Sequence, residues 1–312
     1  MDHETCHPKP DTAPRARGFR ARSCLGLARM FLKGPLKRFG FRKESITRFD
    51  SNEEWVADRV EQIDEYQRLF KPFCSFEGKK VLELGCSRGY LLNSFLQEES
   101  FTAIGADIDE EALSEARRHL GDRIEFVQSA PESVPLPDQS VDIVYSIDTI
   151  EHLSKPKEML LDIYRVLRPG GLFLVHFHPW YGPYGSHLED IIPYPWPNVV
   201  FPMDALLDAA AELYDSPDYQ VACYYRDPQT GEKKPNPYLD RAKWAEFLNH
   251  ITLRQFNRLL KELPFQVVHK EKLGFGGKTF AAARYLGWLS RIPGPDELFT
   301  KAAYYVLSKP ES

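Results

Sequence analysis

Ten residues constrain this 312-residue chain more than any others: Val81-Leu82-Glu83-Leu84-Gly85-Cys86-Ser87-Arg88-Gly89-Tyr90. An apolar run passes through one carboxylate into a turn bracketed by glycines, and then into a helical pattern beginning near Leu91. Gly85 and Gly89 let the backbone take φ > 0 and let a ligand approach the main chain, while the first N–H groups of the following helix stay free to bind it. A dinucleotide site would want glycines at 85, 87 and 90 to seat a pyrophosphate on the helix N-terminus, but Ser87 and Tyr90 stand there. Glu83 argues the same way. A carboxylate two residues before the first glycine repels a pyrophosphate and suits the ammonium group of an amino-acid moiety.

At these residues the chain resembles the class I S-adenosylmethionine-dependent methyltransferases, and within them the large methyltransferase-domain-11 group of mostly small-molecule enzymes. The resemblance runs from roughly Lys79 to His178. The group's first motif, acidic-x-Gly-x-Gly-x-Gly, is here Glu83-Leu84-Gly85-Cys86-Ser87-Arg88-Gly89, with Ser87 replacing the middle glycine. The resemblance implies S-adenosylmethionine as cofactor. It also implies an α/β, doubly wound, Rossmann-like sheet of seven strands, mostly parallel with an antiparallel last strand. Glu83, Gly85, Cys86, Ser87, Gly89, Asp107, Ile108, Ser129, Ala130 and Ser146 are its expected cofactor-binding residues.

The rest of the matching region reads consistently. Phe101 to Ala106 is a second strand ending in Asp107-Ile108-Asp109, before a helix with Glu110 and Glu111 in its first turn and Gly121 at its end. Asp107 stands 22 residues past Gly85, where a strand-end acid accepts both hydroxyls of a ribose. Asp109 is the helix N-cap. A third strand spans Arg123 to Gln128. The following Ala130-Pro131-Glu132-Ser133-Val134-Pro135 lacks the Asp that the family usually places near the adenine amino group, leaving main-chain groups around Ser129 and Ala130, or Glu132, to meet the adenine edge. Val141 to Tyr145 is a fourth strand. Its continuation, Ser146 to Leu153, matches the family's loop beneath the methionine part of the cofactor. A helix from about Pro156 stops at Arg168-Pro169-Gly170-Gly171, ahead of a fifth strand from Leu172 to His178. Alternating strands and helices imply a parallel sheet whose ligands lie outside the strand carboxyl ends, where His176 and His178 fall.

The flanks are less regular. Residues 1–43 hold eleven Lys or Arg against three Asp or Glu, so with −5 for the whole chain the remainder carries −13. This arm is either disordered or loosely docked, or lies on an anionic membrane surface through residues 15–43; nucleic acid is the weaker partner. The domain proper is expected over 44–312. Ser51-Asn52-Glu53-Glu54 reads as a capping box for a helix closed by Pro72. After His178 comes an aromatic and Pro-rich insertion, at about 179–250, periodic only over Met203 to Leu213; such insertions at the ligand face usually carry function. Thr252 to Gln255 caps a helix, and Phe265 to Glu271 and Ala302 to Ser308 are closing strands.

Five cysteines without C-x-x-C spacing indicate neither a disulfide framework nor a cysteine zinc site, and point to a reducing cytosol. No apolar run approaches the length of a membrane span, so the expected location is cytoplasmic or peripheral at a membrane. The leading reading is a methyltransferase acting on a small-molecule, lipid or glycan acceptor at oxygen. The alternatives are a cofactor-binding or membrane-docked module without catalysis and, further off, a nicotinamide-dependent oxidoreductase. His176, His178 and His152 are the candidates for proton transfer. No metal is expected, because no carboxylate is identifiable beside His176, His178 and His187.

Overall fold

The computed structural model describes residues 18–37, 63–217, 219, 221, 225–227, 230–275 and 286–311. Its strands are β1 (Lys80–Leu84), β2 (Thr102–Asp107), β3 (Glu125–Gln128), β4 (Val141–Ile147), β5 (Leu167–Phe177), β6 (Gln266–Gly274) and β7 (Thr300–Ser308). They form one seven-stranded sheet in the order β3-β2-β1-β4-β5-β7-β6. β1 to β5 pair in parallel, and β7 runs antiparallel between β5 and β6. This is the doubly wound architecture that the resemblance implied. The strand order reverses between β1 and β4, which opens a crevice beyond their carboxyl ends.

The helices are α1 (Phe19–Leu32), α2 (Ile63–Phe70), α3 (Tyr90–Phe95), α4 (Glu110–Leu120), α5 (Pro156–Val166), α6 (Met203–Asp215), α7 (Arg241–Phe247) and α8 (Leu253–Glu262). Alternate residues of a strand face opposite layers. Leu82, Leu84, Val144, Phe173 and Val175 pack with Met159, Leu160 and Ile163 of α5 and with Phe256 and Leu260 of α8. Val81, Ile143, Tyr145 and Leu174 pack instead with α2, α3 and α4 through Tyr66, Phe70, Leu92, Phe95 and Leu113. Helix starts follow the sequence. Asp109 accepts from the N–H groups of Glu111 and Ala112, and Thr252 and Gln255 bond each other's backbone in a capping box, a feature worth about 1 kcal/mol. The capping box expected at Ser51–Glu54 lies outside the described residues. Arg168-Pro169-Gly170-Gly171 does end α5, but it is absorbed into β5: Val141 pairs with Leu167, and the register shifts before Ile143 meets Leu172.

A second apolar core sits outside these two layers. α1 presents Ala21, Cys24, Leu25 and Ala28 to Leu206, Ala209, Ala210 and Leu213 of α6, together with Leu188, Ile191, Ile192, Tyr194, Tyr238 and Trp244. Small side chains on both helices let their axes approach, and the Cys24 thiol lies 3.3 Å from the Tyr194 hydroxyl. Residues 19–32, read from sequence as part of an arm separate from a domain at 44–312, therefore share a core with the insertion. Among the described residues no helix is long and apolar enough to cross a membrane.

Candidate active site

Two cavities meet at the β1 turn. The smaller, about 200 Å³, is lined by Tyr66, Glu83, Gly85, Cys86, Ser87, Arg88, Tyr90, Leu91, Ile147 and Asp148. The larger, about 370 Å³, runs past Gly85, Ser87, Asp107, Ile108, Ser129 and Ala130 to Asp148, Thr149, His152, Met159 and Phe247. Gly85, Ser87 and Asp148 line both, so the two are halves of one elongated site.

The turn is built by backbone bonds. The N–H groups of Gly85 and Cys86 both donate to the Ala106 carbonyl, at 2.8 and 3.1 Å, and Gly89 N–H donates to Cys86 at 2.8 Å. Gly85 has φ +82, and a Cβ there would lie 2.1 Å from Thr149 Oγ1, so only glycine fits. Ser87 holds φ 47, the left-handed region that a glycine would take without strain. Its N–H donates to Asp107 Oδ2 at 2.7 Å, while Asp109 N–H donates to Oδ1 at 2.9 Å. Two main-chain donors thus hold the Asp107 carboxylate at the cavity wall in an orientation suited to a diol.

Glu83 is 3% exposed and shares the α2–α3 face of β1 with Tyr145, its partner across the β1–β4 pair. Burial and the Glu83 charge push the Tyr145 phenol well above its usual pKa. Burial, with Glu83 and Asp107 nearby, also raises the Cys86 thiol, so this cysteine is a protonated lining group. Ile108 is 57% exposed at the lip of the larger cavity, a large apolar surface left open to a flat apolar occupant. Glu132 is turned to Lys155 at 3.1 Å. Ser129 and Ala130 donate their N–H groups to Asp107 and Ser133, both at 2.8 Å, so what they offer an adenine edge is carbonyl oxygen. Of the expected cofactor residues, Gly89 lines neither cavity, and neither does Ser146. It alternates with Tyr145 and Ile147, lies on the opposite face of β4, and is fully buried.

Beyond β4 and β5 the three expected histidines come together around acids that sequence reading had not singled out. His176 Nδ1 lies 2.9 Å from Asp148 Oδ1, and its ring meets Tyr66 edge-on. His178 donates through Nδ1 to the Lys301 carbonyl at 2.7 Å, which leaves Nε2 3.4 Å from the same Asp148 oxygen. His152 donates through Nδ1 to the Phe247 carbonyl at 2.7 Å. Its ring centroid is 4.9 Å from that of His187 in the insertion. Glu151 is 3% exposed and accepts from His178 N–H at 3.0 Å. Burial holds His152 and His178 below the usual imidazole pKa and His187 well below it, where His152 and His178 add repulsion. Burial, with Asp148 nearby, raises Glu151 well above the carboxylate range, and burial lifts Glu189 to about 8. The signal for Asp148 was its place at the carboxyl end of β4, directly across the crevice from Gly85, where it takes φ 50.

A sheet of this topology with a glycine turn after β1, an acid in β1 and an acid ending β2 defines a class I S-adenosylmethionine-dependent methyltransferase domain. Residues 82–175 match the sequence family described as a methyltransferase domain. A probable S-adenosylmethionine-dependent methyltransferase of Mycolicibacterium smegmatis is 38% identical over 110 residues, which is 35% of this chain and 41% of that protein. An uncharacterized methyltransferase of Mycobacterium ulcerans is 33% identical over 134 residues, 43% of this chain and 47% of that protein. The chain thus spans less than half the length of these relatives. A solved S-adenosylmethionine-dependent methyltransferase from Mesorhizobium loti aligns with a TM-score of 0.49 at 15% identity, over 80% of this chain and 99% of that one.

The cofactor of this domain is S-adenosylmethionine, and the residues present fit it. A group with an ammonium, a ribose and a purine would find here a buried carboxylate at Glu83, a carboxylate fixed by two N–H donors at Asp107 and an exposed apolar side chain at Ile108.

Proposed function

We propose that this protein methylates an oxygen of a small-molecule, lipid or glycan acceptor. S-adenosylmethionine supplies a methyl group on a sulfonium that is already activated toward displacement. What remains for the protein is to align the acceptor, exclude water and take up a proton. The observation that carries the reading is that Asp148, which lines both cavities, is held from behind by His176 and His178. His178 has Nδ1–H fixed on Lys301, so Nε2 carries the lone pair, and Asp148 stands ready to stabilise the imidazolium that forms when His178 accepts the hydroxyl proton. His176 orients Asp148. Tyr184 of the insertion packs against His178, with ring centroids 5.8 Å apart, and brings the aromatic segment to the acceptor side.

The test has two stages. Calorimetry should show binding of S-adenosylmethionine and none of NAD; the reverse would make the chain an oxidoreductase. Turnover against an acceptor panel should then detect methyl transfer to a hydroxyl compound. His178→Gln should lower that turnover by about 10²-fold or more with cofactor affinity preserved. Cofactor binding without transfer to any class of acceptor would leave a non-catalytic binding module.

One observation favours a lipid-side location. With its apolar face against α6, α1 turns Arg20, Arg22, Arg29 and Lys33 outward, and Phe19 is 80% exposed beside them. Each basic residue near an anionic bilayer contributes about 1 kcal/mol. Co-sedimentation with phosphatidylserine vesicles at low salt, lost on high salt, would support a peripheral membrane partner; no co-sedimentation at low salt would end this reading.

A further inference from the structure

Glu151, His152 and His187 form a group beside the cofactor cavity, with Glu151 buried and the two histidines partly exposed. Its ligand atoms, one from each residue, all lie within 4.8 Å of one another. Their present partners leave these atoms available. Glu151 uses Oε1 for His178 N–H, while Oε2 is buried with no hydrogen-bond partner. His187 Nε2 is likewise buried without a hydrogen-bond partner and faces Glu151 Oε1 at 3.7 Å. His152 has its Nδ1–H tied to the Phe247 carbonyl, so the tautomer with a lone pair on Nε2 is fixed. A backbone carbonyl on the far ring nitrogen is the support that metal-ligating histidines characteristically have. An unpaired carboxylate oxygen buried beside an unpaired imidazole nitrogen is costly without an occupant. A water would satisfy hydrogen bonding only in part, whereas a cation answers two neutral imidazoles and one carboxylate together.

We infer that Glu151, His152 and His187 form a binding site for a divalent transition-metal cation in the wall of the cofactor cavity. One carboxylate and two imidazoles is a borderline-soft donor set that suits zinc, cobalt or iron(II) better than calcium or magnesium, and it leaves further coordination positions for outside oxygen ligands. The site joins two parts of the chain. Glu151 and His152 come from the loop after β4, in the matched family region, whereas His187 comes from the insertion and reaches them with φ 53. A cation here pins the insertion to the sheet edge. Because His152 also lines the larger cavity, an acceptor hydroxyl coordinated to the cation would have its pKa lowered close to the cofactor. That role rests on the function proposed above; the site itself does not.

The experiment uses the full-length, tag-free chain stripped with chelator and titrated with Co²⁺ alone, read by visible absorption and by metal content after desalting. Wild type should bind one Co²⁺ per chain with resolved d–d bands. His187→Gln and Glu151→Gln should each weaken binding by about 100-fold or more, whereas His119→Gln, on the exposed side of α4, should leave it unchanged. Because Glu151 is buried, His187→Gln, whose side chain is partly exposed, is the variant of record if the other fails to fold. Lack of saturable cobalt binding by wild type, or equal binding by wild type and His187→Gln, overturns the metal site. Titration of the same metal-free protein with S-adenosylmethionine separates the two readings. Cofactor binding without cobalt binding sinks the metal site alone, and cobalt binding without cofactor binding sinks the methyltransferase reading alone.

Discussion

Around Gly85 the contacts are made by backbone and by residues one strand-turn-helix step apart: Gly85 and Cys86 on the Ala106 carbonyl, Ser87 on Asp107. In the cap formed by α1 and the insertion, they join residues remote in sequence. Cys24 meets Tyr194 across 170 positions and Arg29 meets Glu212 across 183. Geometry at single atoms rules the first region, while the second is held by apolar area that many side chains share. The difference teaches where each is fragile. The turn fails if one hydrogen becomes a methyl, and the cap fails only when a large side chain leaves or the two remote segments part.

The most severe break should come at the turn. In Gly85→Ala the new Cβ would meet Thr149 Oγ1 at 2.1 Å while the backbone keeps φ +82. Left-handed strain of about 1–2 kcal/mol adds to overpacking of about 1–3 kcal/mol. We expect a loss of roughly 3 kcal/mol in urea unfolding, with cofactor affinity down by tenfold or more. Thr149→Ala in the same chain should recover most of the overpacking part, its own Cβ still standing 2.9 Å from the new one, and none of the strain. Full recovery would show that φ at this position matters less than space.

Next in size is Leu25→Ala, which removes a buried side chain between α1 and α6 and should cost about 2–4 kcal/mol. Here the cofactor should bind as in wild type, because nothing in α1 lines either cavity. An S-adenosylmethionine affinity that falls together with the stability would mean that cap and sheet unfold as one unit, and the contrast drawn above would not hold.

The same contrast explains what could be read from sequence. The strand, turn and capping signals of residues 80–177 depend on neighbours a few positions apart, so the parallel strand–helix alternation, the Asp109 cap and the position of Asp107 at the end of β2 followed from local pattern. Ser146 was misplaced for want of one parity step: side chains alternate along β4, and Ile147 and Asp148, not Ser146, reach the cavity. The docking of α1 was hidden because a helix with Ala21, Cys24, Leu25 and Ala28 on one face shows its purpose only beside α6. The acids Asp148 and Glu151 stood in plain view next to His152. Their meeting with His187 depends on how a loop of the insertion folds back, and local pattern does not encode that.

A smaller effect tests the electrostatic part of the turn. Asp107→Ala removes the acceptor expected for the ribose and also strands the Ser87 and Asp109 N–H groups that it accepts from. Loss of a charged hydrogen-bond partner costs about 1.5–3 kcal/mol, or roughly tenfold or more in S-adenosylmethionine affinity by calorimetry. Asp107→Asn should lose less, since it still offers an oxygen. Unchanged affinity in the alanine variant would move the ribose elsewhere along the larger cavity.

The smallest expected change has the opposite sign. Ser87 holds a non-glycine side chain at φ 47, at a cost of about 1–2 kcal/mol, in the position where the family motif has glycine. Ser87→Gly removes that strain, and the added freedom of the unfolded chain returns about 0.5–1 kcal/mol of it. The net should be a gain of about 0.5–1 kcal/mol in urea unfolding, with a melting-temperature rise of roughly 1–3 °C. Cofactor affinity should stay within twofold, because the bond from residue 87 to Asp107 comes from the backbone N–H and survives the substitution. A stabilised variant would confirm that backbone geometry, not side-chain chemistry, governs this turn. A destabilised one, or one that binds S-adenosylmethionine several-fold more weakly, would mean that the Ser87 hydroxyl itself contacts the cofactor, and that the departure from the family motif is a feature of recognition.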